Sequence, residues 1–130
     1  VNVVNLMAII RSEREFEDPN EIKVVVDKQG YAIYFSREPI PTRSRGITNA
    51  LKLKQVCIIP FRRDYLIKFN STPETLLEQV ESVDMMRIIE NGEKVKMIMS
   101  DEETYAVDTE LELKAVESMM KSDPLFPQYR

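Results

Sequence analysis

The chain has no histidine or tryptophan, one cysteine and only three glycines in 130 residues. Without histidine it cannot by itself assemble a Ser-His-Asp or Cys-His catalytic apparatus, and a single cysteine rules out an internal disulfide and a Cys/His zinc site. Gly30, Gly46 and Gly92 stand alone, so there is neither a Walker loop nor a glycine-rich dinucleotide turn. No apolar run reaches the length of a membrane span. A formal charge of -4 argues against a general nucleic-acid binder, because Arg43/Arg45 and Arg62/Arg63 are too few to make a basic face. Any chemistry must therefore rest on carboxylates, arginines, lysines, hydroxyls and a hard cation.

What is present suits one α/β domain: 43% hydrophobic and 31% charged residues. Cys57 lies in an apolar run and reads as a small core residue of a reducing compartment, which makes the cytoplasm the expected location. Val1-Asn2-Val3-Val4 reads as a strand with no turn or cap ahead of it, so the chain is expected to be a piece of a longer protein.

Local signals give the order of elements. Residues 1–10 are β-branched and apolar, and Ser12 with Glu15 forms a candidate capping box for a short helix. Residues 22–26 and 31–35 are strands joined by the turn Asp27-Lys28-Gln29-Gly30. Residues 36–41 run extended into the basic loop Arg43-Ser44-Arg45-Gly46. Lys54 to Phe61 is continuously apolar enough to suggest a strand covered on both faces. A helix is expected over residues 62–70, and Ser71-Thr72-Pro73-Glu74 opens another that Asn91-Gly92 stops. Residues 94–99 alternate as a strand, residues 105–107 form a brief extended piece, and Thr109 with Glu112 opens a last helix to about Lys121.

On a continuous helix over residues 76–89, Leu76, Leu77, Val80, Val83 and Ile88 share one arc, with Asp84 and Arg87 inside it. Charges on a core-facing stripe must pair with each other, with another segment or with a ligand, since an unpaired buried charge costs several kcal/mol or so. Three residues apart, these two can reach one another. Asp108 precedes the capping Thr109, where it is either a turn residue or a metal ligand. Arg43 and Arg45 could bind a carboxylate or phosphate, or simply be solvated. Met85, Met86, Met119 and Met120 read as core filler.

The stretch Val24 to Pro41, VVVDKQGYAIYFSREPIP, resembles the hairpin of CMP-Kdo synthetases (3-deoxy-manno-octulosonate cytidylyltransferases) of the acylneuraminate cytidylyltransferase superfamily. Phe61-Arg62, Leu77-Glu78-Gln79, Asp84 to Arg87, Glu90-Asn91-Gly92 and Val107-Asp108-Thr109 follow in the order of that family's later half. The resemblance implies the later half of a Rossmann-like nucleotide-diphospho-sugar transferase fold, a mixed sheet flanked by helices with a protruding β-hairpin for dimerisation and sugar binding. Residues 1–130 would be the C-terminal part of a cytidylyltransferase domain whose nucleotide-binding half lies outside them. The implied activity is transfer of CMP from CTP to Kdo or a related 3-deoxy-2-keto acid, with magnesium, in a homodimer with no nucleic-acid or membrane partner.

By the same resemblance Asp108 is the catalytic magnesium ligand, and Gln55, Ile59, Asp84, Met85 and Arg87 face the sugar. Family members of the Kdo type carry His, Tyr, Glu and Gln where this chain has Gln55, Ile59, Asp84 and Met85, which points to a related acidic sugar. The alternative is a non-catalytic binding or dimerisation module that retains the fold.

Overall fold

The computed structural model describes residues 1–47 and 50–100. Asp108, the expected helix to Lys121 with Met119 and Met120, and the extended piece at 105–107 lie outside the described residues. The strands are β1 (Val4–Ile9), β2 (Lys23–Val26), β3 (Ala32–Ser36), β4 (Leu53–Gln55) and β5 (Lys96–Met99). Between them run α1 (Glu13–Glu17), α2 (Arg63–Ser71), α3 (Leu76–Glu81) and α4 (Met86–Glu90).

The strands form one sheet in the order β3-β2-β4-β1-β5, mixed because β1 and β5 are parallel while the other pairs are antiparallel. The α/β architecture with a mixed sheet matches the sequence reading. The hairpin of β2 and β3 forms as expected: Asp27 takes the backbone N–H groups of Gln29 and Tyr31 on its carboxylate, and Gly30 supplies a positive φ of 87°. It is not an isolated ribbon, however. β2 pairs with β4, and Tyr31 bridges to Lys96, so the hairpin is built into the sheet on both sides.

The core gathers Val24, Phe35, Leu53 and Met97 from the sheet with Tyr65, Met86 and Ile88 from the helices and Val83 and Met85 from the corner between α3 and α4. Burying such side chains contributes roughly 1.5–3 kcal/mol each relative to leaving them in water. Ser12 caps α1 by accepting from the Glu15 backbone N–H, while the Glu15 carboxylate turns away to the buried Lys54.

Two expectations are corrected. The apolar run from Lys54 is a ladder strand only as far as Gln55; beyond it the chain follows β1 irregularly, with Leu6 N–H donating to Ile58 O and Val4 N–H to Pro60 O. That irregular path turns Cys57 and Ile58 outward, so Cys57 is exposed rather than core. The single helix expected to open at Ser71-Thr72-Pro73-Glu74 and run to Glu90 is two helices separated by residues 82–85, where Ser82 adopts a left-handed φ of 55°. With that break the continuous wheel fails: Leu76 and Val80 are 69% and 68% exposed.

Candidate functional site

The break at Ser82 makes one side of an open cleft of about 470 Å³. Its opposite side is the segment leaving β4, with Gln55, Cys57 and Ile59, together with Ile22 ahead of β2. The near side carries Glu74, Glu78 and Gln79 around α3 and then Ser82, Val83 and Asp84 at the corner. Three of the residues singled out in the sequence, Gln55, Ile59 and Asp84, thus share one cleft although 29 positions separate the first from the last.

Each is placed for a physical reason. Gln55 sits at the end of β4, buried, with its backbone N–H donating to Ile22 O at 2.7 Å and its Nε2 donating to Asn5 Oδ1 at 2.6 Å. Asn5, itself wholly buried, donates in turn to Val56 O at 2.7 Å, so the amide is held from behind by a satisfied network. Asp84 is exposed because its neighbours Val83 and Met85 both turn into the core.

The other two members of the expected sugar set are elsewhere. Met85 is 1% exposed and packs in the core, as the plain reading of the methionines held. The expected Asp84/Arg87 pair is not formed. Arg87 binds Glu78 instead, Nε to Oε1 at 2.8 Å and Nη2 to Oε2 at 2.6 Å, a two-pronged contact. Its Nη1 donates to the carbonyls of Phe69 and Thr72 at 3.0 and 3.1 Å, and the guanidinium lies 4.3 Å from the Phe69 ring centroid. Arg87 therefore fastens the end of α2 to α3 from behind the cleft wall. The bond to Arg87 holds the Glu78 carboxyl below the ordinary carboxylate range against the opposing effect of burial, and the same bond holds Arg87 up.

Arg43 is also engaged: its guanidinium pairs with Glu13 and Glu17 and lies over the Phe16 ring, away from the cleft. These carboxylates are more than half exposed, so water screens both pairs and they add little to stability. Arg45 is exposed and does not line the cleft.

Among the described residues the lining contains three carboxylates, Glu74, Glu78 and Asp84, and no lysine or arginine. Glu78 is neutralised by Arg87, and Glu74 accepts from Gln79 Nε2 at 3.3 Å. Such a wall offers acceptors to hydroxyl donors, while these described side chains offer an anion only neutral donors such as Gln79 and Ser82. Among the described residues no three of His, Cys, Asp and Glu come together so as to hold a metal ion.

Sequence reasoning passed over Glu78, Gln79, Ser82 and Ile22. The signal for Glu78 is Thr75 three residues before it: the Glu78 carboxylate accepts from the Thr75 backbone N–H at 3.2 Å, so the helix opens at Thr75 rather than at the expected Ser71-Thr72-Pro73-Glu74.

The family model described as Cytidylyltransferase matches residues 1–95. The chain is similar to the 3-deoxy-manno-octulosonate cytidylyltransferases of Chlorobium chlorochromatii, 33% identical with 82% of this chain and 43% of that protein covered, and of Fusobacterium nucleatum, 37% identical with 86% and 45% covered. That of Geobacter sulfurreducens is 34% identical, with 93% and 52% covered. Its structure is similar to CMP:2-keto-3-deoxy-manno-octonic acid synthetase complexed with CTP, with a TM-score of 0.81 and 35% identity over 93% of this chain and 49% of that one. The chain spans about half the length of the curated relatives it matches.

Proposed function

This chain belongs to the cytidylyltransferase family, and from that premise we propose that it supplies the sugar-recognising wall of an enzyme transferring CMP from CTP to Kdo or a related 3-deoxy-2-keto acid. In that reaction the anomeric hydroxyl of the sugar attacks the α-phosphorus of CTP, the bond to the β-phosphate breaks, pyrophosphate leaves and the hydroxyl proton is lost to solvent or base. The observation that carries the reading is the joining of Gln55, Ile59 and Asp84 on one acceptor-rich cleft. Asp84 accepts from a sugar hydroxyl, the Gln55 amide is preset by Asn5 and orients a second polar group, and Ile59 packs on the apolar face of the ring. Because the described lining holds no lysine or arginine, the acid group of the sugar points away from these residues.

Magnesium, assigned to Asp108 by resemblance, would neutralise triphosphate charge when bound. Asp108 lies outside the described residues and the described residues offer no such site, so no step is routed through the ion.

A second reading, a binding module that has lost catalysis, draws on Ile59 and the core-buried Met85, which leave fewer polar groups on the wall than the family pattern has. One experiment separates the two. In the protein that carries this chain, Asp84→Ala should raise KM for Kdo by roughly ten- to a hundredfold, the scale of a hydrogen bond to a charged group, and leave KM for CTP within about twofold. Equal loss toward both substrates rejects the assignment of Asp84, and a wild-type protein with no Kdo-dependent pyrophosphate release favours the module.

A further inference from the structure

The two sides of the cleft are joined by a residue that does not line it. The Arg37 guanidinium donates from Nε to Glu81 O at 2.8 Å, from Nη2 to Ser82 O at 2.9 Å and from Nη1 to Pro19 O at 3.0 Å. Ser82 and the carbonyl before it belong to the corner that presents Asp84, while Pro19 belongs to the loop that leads to Ile22 on the opposite side. One planar group therefore spans both. The loop is fixed a second time by the buried Lys23, whose ammonium donates to Asp18 O, Glu21 O and Arg37 O at 2.5, 2.6 and 2.8 Å.

Glu81 completes the device from the other direction. Its carboxylate accepts from Tyr34 Oη at 2.8 Å, Ser36 Oγ at 3.0 Å and the Arg37 backbone N–H at 3.4 Å, which ties the end of α3 to β3. The Arg37 and Glu81 contacts both converge on the segment in which Ser82 takes its left-handed turn. That turn brings Val83 and Met85 into the core and leaves Asp84 outside.

We propose that Arg37, supported by Glu81, is the positioning residue of this cleft: it fixes the separation of the Ile22 side from the Ser82–Asp84 corner and so sets the fit of the sugar. The inference rests on the reading of the cleft as a sugar wall, but its geometric part does not. Lysine is a poor substitute for Arg37, because a compact ammonium lacks the wide, planar fork with which the guanidinium meets carbonyls on both sides.

Cys57, exposed on the cleft and the chain's single cysteine, gives the readout. In the protein that carries this chain, alkylation of Cys57 by iodoacetamide is followed by mass spectrometry of its peptide, with and without Kdo. The comparison is between wild type, Arg37→Lys and Glu81→Gln. Arg37→Lys should alter the alkylation rate without Kdo by about threefold or more and raise the half-protecting Kdo concentration about tenfold, with cooperative melting retained. Glu81→Gln, which keeps an acceptor oxygen, should do the same more weakly. Rates and half-protection equal to wild type in both variants overturn the proposal, as does loss of cooperative melting in both, which would make the contacts a requirement of the fold. Should Kdo fail to protect even the wild type, the sugar reading falls, and the rates without Kdo still decide the role of Arg37.

Discussion

Arg87 shows how a residue can be legible in kind and misread in partner. Its place on an inward-facing stripe demands an acid, and on a continuous helix that acid would lie three positions away at Asp84. The acid is Glu78, nine positions earlier, brought back by the turn at Ser82. The pair is largely removed from water, with side-chain exposures of 12% and 9%, so breaking it strands a charge. Glu78→Gln should therefore cost about 3–5 kcal/mol at neutral pH, far more than loss of an exposed pair such as Arg43 with Glu17. The folded carboxyl of Glu78 lies below its ordinary value of 4.5, so the stability it contributes is fully present above that pH. It is lost as pH falls through the lowered folded value. Urea midpoints for wild type and Glu78→Gln should accordingly be well separated at pH 7 and converge as the pH falls below the lowered folded value. A separation that does not change with pH would show that the carboxylate is not the operative charge.

Elements with their own punctuation were readable: the hairpin with its Asp27 and Gly30 turn, the short α1 behind Ser12, and α2 after Phe61. The break between α3 and α4 was not, because residue 82 is serine, with no glycine, asparagine or proline to announce a left-handed turn. Tertiary contacts impose it: Arg37 takes the carbonyls of Glu81 and Ser82, which a continuing helix would have used itself. A left-handed residue with a side chain costs roughly 1–2 kcal/mol, less for glycine and more for a β-branched residue. Ser82→Gly should therefore melt at or slightly above the wild-type temperature, while Ser82→Val should lose about 1–2 kcal/mol. Equal stability of the two variants would count against the turn. The same logic explains the misread run after Gln55, where apolar continuity suggested a regular strand. Sequence continuity says nothing of whether a neighbour offers a regular ladder, and beyond Gln55 the contacts with β1 are irregular.

At the scale of the whole molecule, the sheet order places β4 between β2 and β1, and its end opens on the cleft, with the α3–α4 corner opposite. The α/β class and half the cleft were legible as residue types, because buried strands and polar residues out of place leave marks in a sequence. The closure of the cleft was not, since it depends on Arg37 reaching two loops 63 positions apart. What this arrangement holds also limits what it can do alone. Phosphoryl-type transfer is mostly positioning and charge stabilisation of the nucleotide, which needs backbone donors or cations around its phosphates. The three glycines all sit at positive φ and are isolated in sequence, so none contributes to a glycine-rich phosphate loop. Among the described residues the cleft wall carries acids without a lysine or arginine, and a triphosphate placed against them would be repelled. The purified 130-residue chain, given CTP, magnesium and Kdo, should therefore release no pyrophosphate above background, while Kdo still slows alkylation of Cys57. Turnover by this chain alone would mean that the triphosphate is cradled by residues of this chain after all, and the division of labour argued for the cleft would have to be abandoned.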